Sequence, residues 1–86
     1  MSTVSTGMIR RKIRAVLNIR PGFGKTERVL LEGVNELVGG GVSLQELRDG
    51  IEWNHAEGLI RSKEDKEAEV ILWFITEQAI AKENIK

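Results

Sequence analysis

The chain has 86 residues, of which 41% are hydrophobic and 30% are charged, and its formal net charge is zero. This length supports one domain, and the composition is that of a soluble globular protein rather than a disordered one. The longest apolar run, Val70 to Ile75, is too short to cross a membrane, and no apolar leader segment follows the basic N-terminal residues.

Cysteine is absent, which excludes disulfides and thiolate chemistry and agrees with a reducing cytoplasm. A domain of this size must bury most of its Ile, Leu and Val, which leaves little concave surface for a catalytic pocket. We therefore expect a cytoplasmic, non-enzymatic protein with no cofactor, no metal site and no small-molecule substrate.

The charges are unevenly divided along the chain. Residues 1–31 contain seven basic side chains and one acidic one, whereas residues 32–86 contain six basic and twelve acidic ones. Such a division favours a polyanionic partner for the basic part. The alternative is that the two parts neutralise each other within the fold or across a dimer.

Residues 1–7 are small and polar and predict a flexible N-terminus, followed by one domain over residues 8–86. A first helix is expected from Met8 until shortly before Pro21, since proline disfavours helical backbone in the residue before it. Its buried stripe has helical spacing and comprises Ile9, Ile13, Val16 and Leu17. Its predicted outer face carries Arg10, Arg11 and Arg14.

A second helix is expected to begin after Thr26, a possible N-cap, and to end at the glycines 39–41. Its predicted buried stripe comprises Leu30, Val34, Leu37 and Val38. The turn before this helix contains Phe23 between two glycines, and we expect that ring to be partly exposed.

A third helix over residues 44–57 has the clearest start signal. Ser43 and Glu46 fit a capping box, and Val42 and Leu47 have the spacing of a hydrophobic staple. Gly58 is a natural residue to follow its C-terminus. The predicted inner face comprises Leu44, Leu47 and Ile51.

The segment after Gly58 allows two interpretations. The β-branched and aromatic run 70–75 favours a buried strand, with Trp73 and Phe74 on opposite faces, followed by a short helix over 77–82 capped by Thr76. The apolar residues over 68–79 also fit one long helix, and short apolar runs cannot be assigned by period alone. We favour the strand.

Three groups of residues could suggest chemistry. Gly24-Lys25-Thr26 resembles the end of a phosphate-binding loop, but Ile19 stands where that loop needs its first glycine. We therefore interpret it as a turn and helix cap that could hold one backbone phosphate. His55 is the only histidine, and we expect it on the surface near a helix C-terminus. We interpret Glu46 and Asp49 as part of a solvent-exposed helix face rather than as a catalytic pair.

The order of elements resembles the winged helix-turn-helix family. In that family the third helix is commonly followed by a segment similar to Gly58-Leu59-Ile60-Arg61, which becomes the first wing strand. The second wing strand commonly ends in a segment similar to Ile75-Thr76-Glu77. The resemblance implies a mainly α fold with a three-helix core and a small β-hairpin. The structural alternative is an all-α bundle of five helices.

The resemblance also implies DNA binding, with the third helix in the major groove and the wing on phosphate or minor groove. Here the third helix is acidic, with Arg48 as its only Lys or Arg, and the wing turn mixes both signs. Because phosphate attraction dominates affinity for DNA, such a helix fits the groove poorly. The basic first helix and the turn at 21–25 would then supply the contact.

The sequence therefore predicts a small DNA-binding protein with a role in transcription regulation or an accessory role. The predicted phosphate contacts are Arg10, Arg11, Arg14, Arg20, Lys25 and Arg28, with Arg48 and Lys63 as minor contributors. The rival interpretation is a protein–protein adaptor whose acidic third helix and wing bind a basic partner, or whose two poles pair in a homodimer.

Overall fold

The computed structural model describes residues 4–84, which form four helices and one two-stranded antiparallel hairpin. In chain order the elements are α1 (Thr6–Asn18), α2 (Glu27–Val38), α3 (Leu44–Ala56), β1 (Ile60–Asp65), β2 (Val70–Ile75) and α4 (Glu77–Asn84). This is the predicted winged-helix architecture, and the alternatives of an all-α bundle and of one long C-terminal helix are both wrong. Within the described range, no helix is long and apolar enough to cross a membrane.

Helix α1 begins two residues earlier than predicted. The Ser5 hydroxyl accepts a hydrogen bond from the Met8 amide at 3.1 Å and so caps the helix, which draws Thr6 and Gly7 into its first turn. Those two residues therefore belong to the folded domain. The remainder of the predicted flexible N-terminus falls largely on residues 1–3, which lie outside the described part of the chain, as do residues 85–86.

The start signals of α2 and α3 act as predicted. The Thr26 hydroxyl accepts from the Val29 amide at 3.3 Å. Ser43 and Glu46 form both hydrogen bonds of the capping box, at 3.0 and 3.1 Å. Gly39 ends α2 in the left-handed conformation with φ of 84°, where a glycine avoids the strain of a side chain.

The core lies between the three N-terminal helices and the base of the hairpin. Its buried apolar side chains are Ile9, Ile13, Val16, Leu17, Leu30, Val34, Val42, Leu47, Ile51, Leu59, Ile60, Ile75 and Ala79. Gly50 allows α3 to pack closely on α1, because a Cβ there would lie 2.7 Å from Cδ1 of Ile13. The predicted stripe of α1 is confirmed in full.

Two leucines predicted in the core are partly outside it. Leu37 is 50% exposed, because the end of α2 meets the start of α1 at an open groove that Met8 and Val38 also line. Leu44 is 38% exposed, since it occupies the first turn of α3, one turn before the helix reaches the core at Leu47.

Strand β2 lies between β1 and one extended residue of the turn before α2. The β1–β2 register runs from Ile60 opposite Ile75 to Asp65 opposite Val70. On the other edge of β2, Lys25 and Trp73 exchange two backbone hydrogen bonds of 3.0 and 2.8 Å. The hairpin is thereby fixed to the start of α2. After β2, the Thr76 hydroxyl accepts a hydrogen bond from the Ala79 amide and so caps α4.

Candidate nucleic-acid interface

Two of the three arginines predicted on the outer face of α1 are engaged inside the fold. Arg14 is only 7% exposed, so the prediction that it points to solvent is wrong. Its guanidinium forms an ion pair with Glu83 on α4 and donates from Nη1 to Oδ1 of Asn54 at 2.9 Å. Arg14 therefore links three helices and is not presented to a ligand.

Asn54 completes this buried link. Its side chain is fully buried, and its Nδ2 donates to the backbone carbonyls of Arg10 at 3.1 Å and Gly50 at 2.9 Å. The amide side chain thus joins α3 to α1, while its oxygen accepts from Arg14. A buried polar group needs such partners, because leaving it unpaired costs the desolvation of that group.

Arg10 is also directed inward, and only Arg11 of the three keeps the predicted exposed position. The Arg10 guanidinium lies over the Trp53 ring, 4.4 Å from its centroid, and its Nε is buried. The positions of Arg10 and Arg14 on α1 were a sequence signal that both side chains turn inward, since the two residues are four apart and flank the apolar stripe. The partners on α3 and α4 could not be read from the sequence.

The Gly24-Lys25-Thr26 motif between α1 and α2 is explained by the structural roles of its three residues. Lys25 pairs with β2 through its backbone, and Thr26 caps α2. Gly24 lies against the hairpin, where a Cβ would be 2.5 Å from Cζ of Phe74. Phe23 is 62% exposed, as predicted, and the Arg20 guanidinium lies 5.4 Å from its ring centroid.

The start of α2 lies beside the exposed face of α3. Arg48 on α3 donates from Nε and Nη2 to the two carboxylate oxygens of Glu27, at 2.9 and 3.0 Å. The carboxylate raises the pKa of Arg48, by its hydrogen bonds first and its charge second. The neighbouring Arg28 is exposed. This ion pair is a contact that the sequence did not predict.

The exposed face of α3 is acidic around Arg48. Asp49 accepts a hydrogen bond from Nε2 of Gln45 at 2.9 Å, and Glu52 and Glu57 are exposed. Glu46 accepts the backbone hydrogen bond of the capping box, so both Glu46 and Asp49 have structural partners on α3.

The wing carries cations on one side of the hairpin and at its tip. Lys63 and Lys66 are exposed, and the Arg61 guanidinium lies 4.6 Å from the ring centroid of Phe74. Lys66 was not among the predicted phosphate contacts. It lies in the charged turn between β1 and β2, where a sequence prediction of a wing would place an exposed cation. A shallow groove lined by Arg28 and Trp73 connects the start of α2 to β2.

His55 has a packing role. It is exposed near the end of α3, as predicted, and its ring meets Trp73 edge-on at 5.4 Å between centroids. Over residues 4–84, no three His, Asp or Glu side chains are grouped so as to hold a metal ion. The predicted aromatic alternation is also observed, since Trp73 packs toward the core while Phe74 lies under Arg61.

The fold is similar to that of three solved structures. A MarR-family transcriptional regulator from Silicibacter pomeroyi superposes with a TM-score of 0.67 and 20% identity, over 91% of this chain and 46% of that one. Two variants of Lactococcus lactis ZitR give TM-scores of 0.66 and 0.62 at 21% and 24% identity. They cover 96% and 85% of this chain, and 52% and 48% of theirs.

The chain thus spans about half the length of the structures it matches. No protein-family model and no curated protein matches it. At these identities the likeness concerns the fold. The three-helix core, the hairpin after α3 and these superpositions together show that the chain has a winged-helix fold.

Proposed function

We propose that this chain is a non-enzymatic DNA-binding module with a role in transcription regulation or an accessory role. The observation that carries the proposal is that cations lie at the start of α2 and on the wing, two elements that both contact α3. Lys25 and Arg28 lie at the start of α2, which Glu27 joins to α3, and Lys63 and Lys66 lie on the wing that follows α3. This arrangement suits a duplex whose phosphates flank the groove.

The start of α2 is suited to a phosphate for a second reason. The first backbone amides of a helix lack partners within the helix, and the helix dipole adds partial positive charge there. Thr26 satisfies the amide of Val29, and Lys25 and Arg28 add two full charges nearby. A backbone phosphate would therefore meet both amides and side chains.

The proposed phosphate contacts differ from the predicted set, since two arginines of α1 and Arg48, whose charge is matched by Glu27, are removed and Lys66 is added. Arg14 is removed because it is buried, and Arg10 because its guanidinium lies on Trp53. Arg11 and Arg20 are exposed and are retained as peripheral contacts. The remaining proposed contacts are Lys25, Arg28, Lys63 and Lys66.

The test is fluorescence anisotropy with a labelled duplex of random sequence over a series of salt concentrations. Each phosphate contact contributes about 0.9 to the slope of log K against log salt. The double change of Lys25 and Arg28 to Ala should lower that slope by roughly 1.8. Lys82→Ala, an exposed cation on α4, is the matched control and should leave it unchanged. Absence of duplex binding at low salt and about 100 μM protein would refute the proposal.

A protein–protein adaptor is the second candidate. The observation that favours it is the exposed acidic surface of α3, formed by Asp49, Glu52 and Glu57, beside an Arg48 whose charge is matched by Glu27. Changing Asp49 and Glu52 to Lys separates the two functions. Duplex binding should strengthen if α3 meets DNA, whereas capture of a basic partner would be lost if α3 is an adaptor surface.

A further inference from the structure

The ion pair between Glu27 and Arg48 is unusual on this surface because its geometry is bidentate. Two parallel N–H groups of Arg48 meet the two oxygens of Glu27, and the side chains are 53% and 36% exposed. Bidentate carboxylate contacts hold the planar guanidinium in one orientation. The carboxylate comes from α2 and the arginine from α3, so the orientation is fixed relative to both helices.

The contact with Glu27 leaves a defined set of donors. A guanidinium has five N–H groups, and Glu27 takes one from Nε and one from Nη2. Within the described part of the chain, Arg48 hydrogen-bonds to Glu27 alone. One N–H of Nη2 and both of Nη1 remain, and two of these three point in parallel from the end of the side chain.

This pair is better suited to a base than to a phosphate. The Glu27 carboxylate matches the positive charge of Arg48 and would itself repel a phosphate at close range. What Arg48 retains is a pair of directed donors on an exposed helix face. Guanine presents two adjacent acceptors, N7 and O6, in the major groove, and arginine donating to both is the commonest specific contact of this kind.

We infer that Arg48 is a specificity-determining residue that reads one guanine in the major groove, and that Glu27 is the positioning residue that orients it. The inference rests on the proposed DNA-binding function and adds to it the base that is read. Asp49 and Glu52, beside Arg48, weaken attachment to the backbone at this point. The binding contributed by α3 therefore depends on the base that Arg48 meets.

The experiment is a selection from a library of randomised 20-base-pair duplexes, with the bound fraction sequenced and total binding followed by anisotropy. The wild-type protein should enrich guanine at one position. Arg48→Ala removes all the donors that could meet the guanine, so the preference there should fall by about ten- to a hundredfold. The thermal midpoint should hardly move, because an exposed ion pair contributes little to stability.

Glu27→Gln tests the positioning role, because two quantities should move in opposite directions. Loss of a negative charge should increase total binding of random duplex, while the guanine preference should decrease because the guanidinium is held less firmly. A residue that acted only through its charge would not change the base preference. Lys63→Ala is the matched control and should lower binding to all duplexes while leaving the enriched position unchanged.

The outcomes separate this inference from the proposed function. A wild-type profile without a guanine position, or one that Arg48→Ala leaves intact, overturns the inference while duplex binding itself stands. A guanine position that Arg48→Ala removes but Glu27→Gln leaves intact overturns the role given to Glu27. If no library duplex binds, both the proposed function and the inference fail.

Discussion

Removing the guanidinium of Arg14 should destabilise the whole domain. Arg14 is nearly buried, is paired with Glu83 on α4, and supplies the donor to the oxygen of the fully buried Asn54. Arg14→Met keeps most of the apolar length of the side chain and removes its donors and its charge. The change therefore isolates the polar link among α1, α3 and α4 from the packing of the arginine stem.

The expected loss in the free energy of unfolding follows from the two polar partners that Arg14→Met leaves unpaired, Glu83 and Asn54. Breaking a buried ion pair by removing one partner costs about 3–5 kcal/mol, and an unpaired buried amide oxygen costs about 1–3 kcal/mol. Glu83 is 26% exposed and can turn toward water, which recovers part of the first cost. We therefore expect a loss of about 3 kcal/mol, or a decrease of roughly 12–24 °C in the melting temperature for a domain of this size.

Urea unfolding followed by the fluorescence of Trp53 and Trp73 measures this loss. Arg11→Ala is the matched control, since Arg11 is an exposed cation on the same helix and its removal should change stability by less than about 0.5 kcal/mol. Combining Arg14→Met with Asn54→Ala should cost less than the sum of the single changes, because both break the same contact. Equal unfolding midpoints for Arg14→Met and Arg11→Ala would show that the buried link contributes nothing.

Further predictions concern the caps, the turn and the acidic face. Ser43→Ala should cost about 1 kcal/mol in urea unfolding through loss of the capping box, and unprotected amides at the start of α3 in hydrogen exchange would contradict that role. Gly24→Ala should cost about 1–3 kcal/mol, because its Cβ would overlap the hairpin, and an unchanged melting temperature would disprove the close contact. Lys25→Ala should leave calorimetric titrations with ATP unchanged, since its loop is a turn joined to the sheet; micromolar binding that the change abolishes would revive the phosphate-loop interpretation. The Asp49 and Glu52 reversal to Lys should raise affinity for random duplex in anisotropy measurements, and no change at low salt would place α3 away from the DNA.

The features that the sequence predicted well are those whose signal is local. The capping box at Ser43 and Glu46 needs only four residues, and the glycines at 39–41 end α2 through their own backbone freedom. The stripe of α1 also depends on spacing within one helix. The strand at 70–75 was predicted because β-branched and aromatic residues follow one another there. The same region also has the spacing of a long helix, so the period alone did not decide between the two.

The predictions that failed depended on how distant segments meet. Arg14 was assigned to the surface because it lies off the apolar stripe of α1. Its partners Asn54 and Glu83 lie 40 and 69 residues further along the chain, so the pairing becomes visible only when α3 and α4 are placed. The prediction that Leu37 is buried failed for a different reason. Leu37 lies on the apolar stripe of α2, but among residues 4–84 no element covers the end of that helix.

The two parts of the chain that differ in charge are joined by ion pairs in the folded molecule. Both ion pairs of the described residues join the basic N-terminal part to the acidic remainder, one between Arg14 and Glu83 and the other between Glu27 and Arg48. The first takes a cation away from α1, and the second pairs the only acidic residue of 1–31 with the only Lys or Arg of α3. The cations that we propose as the main phosphate contacts lie at the start of α2 and on the wing. Contacts to phosphates carry no sequence information, so selective binding requires a directed contact from α3 to a base. Arg48 is the side chain of that helix with both the donors and the fixed orientation to make it.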